Sequence, residues 1–224
     1  FDRLRSIDLR VGALPRHPSG RLGYSFNWSP EGVVNEYLND CEVIRHGKVT
    51  HIPAMREVEP VTIGGLAFEA FSTSGGVGTM CRSYEGLVDR LDYKTLRYPG
   101  HCDLMRFFFD ELGMRDRREL AGEILVEAKP PVDDDVVYLF VAVEGWSDGS
   151  LVRNQLVRTF LPREIAGRRW RAIAWTTAAS VCGLVEMVAS GELPDRGLLR
   201  QESVDYAAFV ATMHGSHLAI DDGR

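Results

Sequence analysis

The chain has 224 residues, 45% of them hydrophobic and 26% charged, with a formal net charge of −6. That length suffices for one large domain with a real core, and the composition is that of an ordinary soluble globular protein. The acidic balance and the lack of any Lys/Arg-rich run argue against a nucleic-acid partner. No apolar run approaches the roughly 20 residues that span a bilayer, and the N-terminus carries no basic region followed by an apolar one. The expectation is therefore a cytoplasmic protein without a membrane partner. The cysteines, Cys41, Cys81, Cys102 and Cys182, are scattered without a C-x-x-C pair. They read as reduced thiols, with no zinc or other metal site. The first residue is Phe1 rather than Met, which suggests a piece of something longer.

In chain order, Ile7–Leu14 alternates as a strand, Pro15–Gly20 is a loop, and Leu22–Trp28 is again strand-like. Ser29-Pro30-Glu31 spells a helix start: a cap, a proline at the first helical position and an acid in the first turn. A short helix follows. Cys41–Pro53 reads as a hairpin about His46-Gly47, and residues 57–71 as extended chain punctuated by Gly64-Gly65. Ser72–Met80 is a glycine-rich turn into a short helix. Val88–Tyr98 is extended, and the segment from Cys102 is a helix closed by Gly113. Arg115–Ala128 is a helix with Leu120, Ile124, Leu125 and Ala128 on one face. Val136–Trp146 is a Val-rich strand buried on both faces, and Leu151–Leu161 its antiparallel partner across Ser147-Asp148-Gly149. Arg168–Trp175 is a third strand. Thr176 or Thr177 caps a helix that Gly191 ends, and a last helix lies near Asp205–His214 before a frayed tail from Asp221. Runs of hairpins mixed with helices predict a single α+β domain, its sheet mixed but largely antiparallel, with helices mainly on one face.

Chemistry concentrates at one corner. In "TLRYPGH" (Thr95–His101), Pro99-Gly100 forces a turn, so that Arg97 and His101 share an opening with the free amides of a helix N-terminus. Such an opening suits an anion. Arg97 can clamp a carboxylate, and His101 can pass a proton near neutral pH. An arginine on a sheet edge and a histidine capping a helix would give the same spelling. Trp28 reads either as a core aromatic or as a pocket wall. The cluster "GGVGT" (Gly75–Thr79) lacks the third glycine of a dinucleotide fingerprint and the lysine of a phosphate loop. It is a tight turn, beside which Ser72 and Thr73 offer hydroxyls to a polar ligand. No cofactor motif is present in the chain.

"TLRYPGH" together with "LGYSFNWSPEGVVNEYL" (Leu22–Leu38) resembles the C-terminal part of the saccharopine dehydrogenase family. "HGKVTHIPAMREVEPV" (His46–Val61) and "LAFEAFSTSGGVGTM" (Leu66–Met80) are more similar to its lysine 6-dehydrogenase-like branch. "TTAASVCGLVEMVASGELPDRGLLRQE" (Thr176–Glu202) is similar to the family's closing segment. The resemblance implies the substrate-binding and dimerisation domain of a two-domain oxidoreductase. Its nucleotide-binding half, absent here, would hold NAD or NADP, so no cofactor is expected in this chain. It implies hydride transfer at a carbon–nitrogen centre of an amino-acid-like substrate, and a homodimer. By the same resemblance Trp28 is a substrate wall, Thr95 and Arg97 lie at a strand end close to the substrate, and Ser72 and Thr73 are polar contacts. The rival expectation is a non-catalytic assembly module of the same fold.

Overall fold

A computed structural model describes residues 1–220. The strands are β1 (Arg3–Pro15), β2 (Cys41–Arg45), β3 (Lys48–Ile52), β4 (Glu59–Ile63), β5 (Leu66–Ser72), β6 (Arg90–Arg97), β7 (Asp135–Ser147) and β8 (Ser150–Phe160), with a small separate pair, β9 (Arg163–Ile165) and β10 (Arg168–Trp170). The helices are α1 (Pro30–Leu38), α2 (Met80–Tyr84), α3 (His101–Arg106), α4 (Arg118–Ala128), α5 (Ala172–Ala189) and α6 (Tyr206–Ala211). The expected α+β class with a largely antiparallel sheet is the one found.

The main sheet runs β3-β2-β6-β1-β7-β8. Only β1 and β6 are parallel among these pairs. One edge of β6 is shared by two hairpins. β2 pairs with its first two residues, and β5 with its last four, Lys94 to Arg97. The end of β6 thus sits beside β5, which positions the corner at Pro99. The hairpins turn at His46-Gly47, Gly64-Gly65 and Asp148-Gly149, each pair with both φ angles positive. That is the backbone hand that matches strand twist, and glycine adopts it without strain.

Alternation along β1 defines two faces. Asp8, Arg10, Gly12 and Leu14 are buried, whereas Leu9, Val11 and Ala13 opposite them are half-buried. The parallel register aligns Arg10 with Lys94 and Val11 with Thr95. The closed face therefore carries Asp8, Arg10, Asp92 and Lys94; the other face, more open along β1, carries Leu9, Val11 and Tyr93, and its members Thr95 and Arg97 near the end of β6 are buried. Gly12 lets the two strands approach, since a Cβ there would stand 2.7 Å from Leu96 Cβ. One apolar core joins Leu14, Leu96, Phe68, Tyr138, Phe109 and the inner faces of α1 and α4. A smaller one joins Ile7, Ile44, Leu91, Val77 and Cys81.

Five sequence expectations are corrected. Leu22–Trp28 is irregular, although Tyr24 and Phe26 are buried. β7 is continuously buried only from Asp135 to Tyr138; beyond that, Ala142 and Gly145 are buried and the other residues are half-buried. The segment from Arg168 gives up strand at Trp170, and α5 begins at Ala172. Its cap is neither threonine but the buried Asp135 carboxylate of β7, which accepts from Ala172 N (2.6 Å) and Ile173 N (3.0 Å). Finally, α5 is an 18-residue helix of mean hydropathy 1.5, long and apolar enough by length and composition to cross a membrane. Trp175, Ala179, Gly183 and Met187 on it are buried, with Gly183 packed against Phe209 of α6. Val181 and Val185 are exposed. The tail from Asp221 lies outside the described residues.

Candidate functional site: an unpaired arginine on the open sheet face

The corner is built as the sequence suggests. Tyr98-Pro99-Gly100-His101 is a turn with Gly100 at φ +92° and His101 N bonded to Tyr98 O (3.3 Å). That is the arrangement in which proline leads and glycine takes the positive φ. The amides at the start of α3 are not free, however. The Glu69 carboxylate of β5 accepts from Gly100 N (2.8 Å) and Cys102 N (2.6 Å). The anion expected there is supplied by the protein itself.

Arg97 is 2% exposed. Its Nε donates to Tyr37 Oη (2.7 Å), and its Nη1 donates to Thr95 Oγ1 (2.5 Å) and Leu96 O (2.8 Å). The guanidinium lies over the Tyr24 ring, 4.6 Å from its centroid. Every one of these partners is neutral. No ion pair to Arg97 and no hydrogen bond from its Nη2 occurs among the described residues. A buried cation normally has a carboxylate within reach, because desolvating it alone is expensive. Arg97 remains firmly protonated. Burial pulls its pKa down, but Tyr37, Tyr24 and the Glu36 carboxyl raise it further than that.

His101 is 1% exposed. Its Nδ1 lies 2.9 Å from Leu22 O, and a carbonyl only accepts, so Nδ1 carries the proton. Nε2 then accepts from the Tyr37 hydroxyl at 2.9 Å. The chain of donors is complete: Arg97 Nε–H to Tyr37, Tyr37 O–H to His101, His101 Nδ1–H to Leu22. Burial, with the charge of Arg97 adding to it, pushes His101 down to about 3. In this structure the imidazole is enclosed, with both ring nitrogens engaged.

Thr95 spans Val11 O (3.4 Å) and Arg97 Nη1. Trp28 is half-buried and donates from Nε1 to Tyr24 Oη (3.3 Å). It therefore reaches the Arg97 cluster through Tyr24. Ser72 is used up elsewhere. Its hydroxyl meets Arg56 N and the carbonyls of Pro53 and Arg56, each at 3.1 Å, and pins that turn. Thr73 is buried with an unpartnered hydroxyl.

Sequence reasoning missed Tyr24, Tyr37, Glu36 and Tyr93. Glu36 follows the buried pair Val33-Val34 on α1, and its backbone carbonyl accepts from Ser74 N (3.0 Å). Its carboxyl is half-buried and has no partner among the described residues. Burial pushes it up to about 7, with Arg97 holding it back. Burial, and then Glu36, also raises the Tyr93 phenol.

Fold and site together define an α+β domain on an open mixed sheet, with an uncompensated buried arginine at one strand end. The model of the saccharopine dehydrogenase C-terminal domain matches residues 2–215, and the chain belongs to that family, an oxidoreductase family, through this domain. The fold is similar to that of apo saccharopine dehydrogenase (L-Glu forming) from Saccharomyces cerevisiae, with a TM-score of 0.64 at 17% identity. That alignment covers 88% of this chain and 61% of the yeast chain.

Proposed function

We propose that this chain is the substrate-binding and dimerisation domain of an NAD(P)-dependent oxidoreductase. The reaction is hydride transfer at a carbon–nitrogen centre of an amino acid, and the motifs are nearest the lysine 6-dehydrogenase-like branch. The observation that carries this reading is Arg97, a buried guanidinium with no carboxylate of its own and with Nη2 left over. A substrate carboxylate supplies the missing charge. NAD or NADP belongs to a nucleotide-binding domain outside this chain and takes up or gives the hydride. This chain's residues bind and orient. Thr95 and Tyr37 fix the guanidinium, Trp28 and Tyr24 wall the site, and Thr73 has a hydroxyl to offer. His101 acts through Tyr37 as a positioning residue.

The test is kinetic, on the complete two-domain enzyme. Arg97→Met should raise the amino-acid KM by roughly 10- to 100-fold, the loss of a charged hydrogen bond. His101→Gln should raise KM in the same direction and leave the pH profile of kcat unmoved. A lowered kcat with an altered pH profile would restore the proton-carrying role to the imidazole.

Association follows from the sheet. β8 is an edge strand with much of its length exposed, and Val181 and Val185 of α5 form an exposed apolar pair. Long edges and apolar patches of this kind are covered in stable proteins. A second copy is the proposed cover, and a monomer in sedimentation at on the order of tens of micromolar would contradict it, since obligate interfaces are large and hydrophobic.

A further inference from the structure

The β9-β10 hairpin bounds a cavity of about 330 Å³ against α5 and the segment after α6. The hairpin turns at Ala166-Gly167, both at positive φ (+52° and +72°). Its register pairs Ile165 with Arg168 and Arg163 with Trp170. Alternation along a strand therefore puts these four side chains on one face. Arg169 falls on the other, where it meets Asp134 at 3.6 Å. The floor of the cleft is fixed. Trp175 of α5 is buried, donates from Nε1 to Leu161 O (2.9 Å) and meets the Phe160 ring edge to face, 5.6 Å between centroids. Ala178 and Cys182 extend that floor along α5.

The cleft is apolar within and basic at its rim. Arg168 lies over the Trp170 ring, 4.5 Å from its centroid, and makes no ion pair or hydrogen bond among the described residues. Arg163 lies 6.0 Å from the Trp175 ring centroid and likewise has no ion pair there. His214 and His217 also line the cleft, His214 donating from Nδ1 to Glu186. Among the described residues no Asp or Glu lines it, in a chain whose net charge is −6. A guanidinium stacked on an indole is held by its face, and its N–H edge stays free for the two oxygens of a carboxylate. A concave, mostly apolar cavity of this size with a few polar groups is the usual form of a small-molecule site. We propose that this cleft binds a planar aromatic carboxylate, its ring packed against Trp170 and Trp175 and its carboxylate on Arg168. None of the lining residues belongs to the Arg97 cluster, so the site stands whether or not Arg97 takes a carboxylate of its own.

The experiment is calorimetric titration of the chain with naphthoate, with naphthamide, which lacks the charge, and with cyclohexanecarboxylate, which lacks the flat ring. Cys182 reports where the ligand sits. It lines the cleft and is half-buried, whereas Cys41, Cys81 and Cys102 are buried, so a filled cleft should slow its alkylation by iodoacetamide. Naphthoate should bind more tightly than either analogue and should protect Cys182. Arg168→Gln should weaken naphthoate by about 5- to 10-fold, the share of a charged hydrogen bond that survives at an exposed rim, and leave naphthamide within about twofold. Ala178→Leu adds bulk at an exposed position of α5 and should weaken both aromatic ligands with denaturant unfolding unchanged. Either analogue binding as tightly as naphthoate overturns the proposal. So does naphthoate binding that leaves Cys182 alkylation unchanged, which would put the carboxylate elsewhere, as at Arg97. Absence of naphthoate binding to the wild type also overturns it, and if Ala178→Leu then shifts the sedimentation coefficient, the occupant of the cleft is a second copy.

Discussion

Two arginines, Arg10 and Arg97, stand on neighbouring parallel strands, both 2% exposed, on opposite faces of one sheet. Arg10 is saturated with carboxylates. It meets Asp92 and Glu59 at 2.6 Å each and Asp8 at 3.6 Å, and Lys94 and Arg45 complete the network at Glu59 and Asp92. Among the described residues Arg97 has only hydroxyls, a carbonyl and the Tyr24 and Tyr37 rings. Where a fold buries charge for its own architecture, it brings the counter-charge along. Where the counter-charge is missing, as at Arg97, the proposed compensation is a ligand that brings one.

The comparison breaks most visibly at Asp92. Asp92→Ala leaves Arg10 with an unbalanced share of buried charge and should cost about 3–5 kcal/mol of unfolding free energy in denaturant titration. Burial alone would raise Asp92, but Arg10, Arg45 and Lys94 hold it below its ordinary 3.8. The sign follows. Its stabilisation is complete above pH 3.8 and is lost as pH falls through the lower folded value, so the variant should show a shallower acid limb than the wild type. An unchanged acid limb would mean that the network adds nothing to stability.

On the open face the expected effects are smaller. Tyr37→Phe strips the hydroxyl that accepts from Arg97 and donates to His101, leaving two buried groups without that partner. It should cost about 1–3 kcal/mol by the same titration. Smaller again is Glu36→Gln, with the opposite sign. Glu36 titrates near 7 in the fold against an ordinary 4.5, so the folded chain holds its proton more tightly and stability falls as pH rises through that window. The roughly 3 kcal/mol of the full shift is screened by solvent at this half-buried group, so the variant should be more stable than the wild type at pH 8 by about 1–2 kcal/mol and indistinguishable from it at pH 4. A variant less stable at pH 8 would mean that the carboxylate has a partner.

The two faces also differ in how far the sequence revealed them. Hairpin turns, the Ser29-Pro30 cap and the strand-to-helix corner are local, and local spelling was sufficient. Where a distant residue decided the outcome, it was not. The start of α5 depends on Asp135, contributed by β7, and the first amides of α3 depend on Glu69, contributed by β5. At the site, Arg97, Thr95 and His101 stood out because they share one short motif. Tyr37 and Glu36 did not, because on α1 one spells a core aromatic and the other a solvated acid. Only the packing of α1 against the end of β6 gives them a common neighbourhood.

The position of β1 also constrains the order of assembly. It is the first strand of the chain and lies between β6 and β7, with Ser6 beside Arg90 and Arg3 beside Trp146. Neither neighbour is local, and one of the two pairings is parallel, so loop-closure entropy must be met before either ladder forms. The hairpins β2-β3, β4-β5 and β7-β8 carry no such delay. Of the strands in this chain, the first in sequence is then the last to be seated. Pulse-labelled hydrogen exchange during refolding should find the three hairpins protected before Ile7–Val11, and simultaneous protection would place β1 in the folding nucleus instead. Until that moment the edges of β6 and β7 that flank β1 are unpaired, which makes the interval before β1 docks the one in which this chain is most exposed to mispairing.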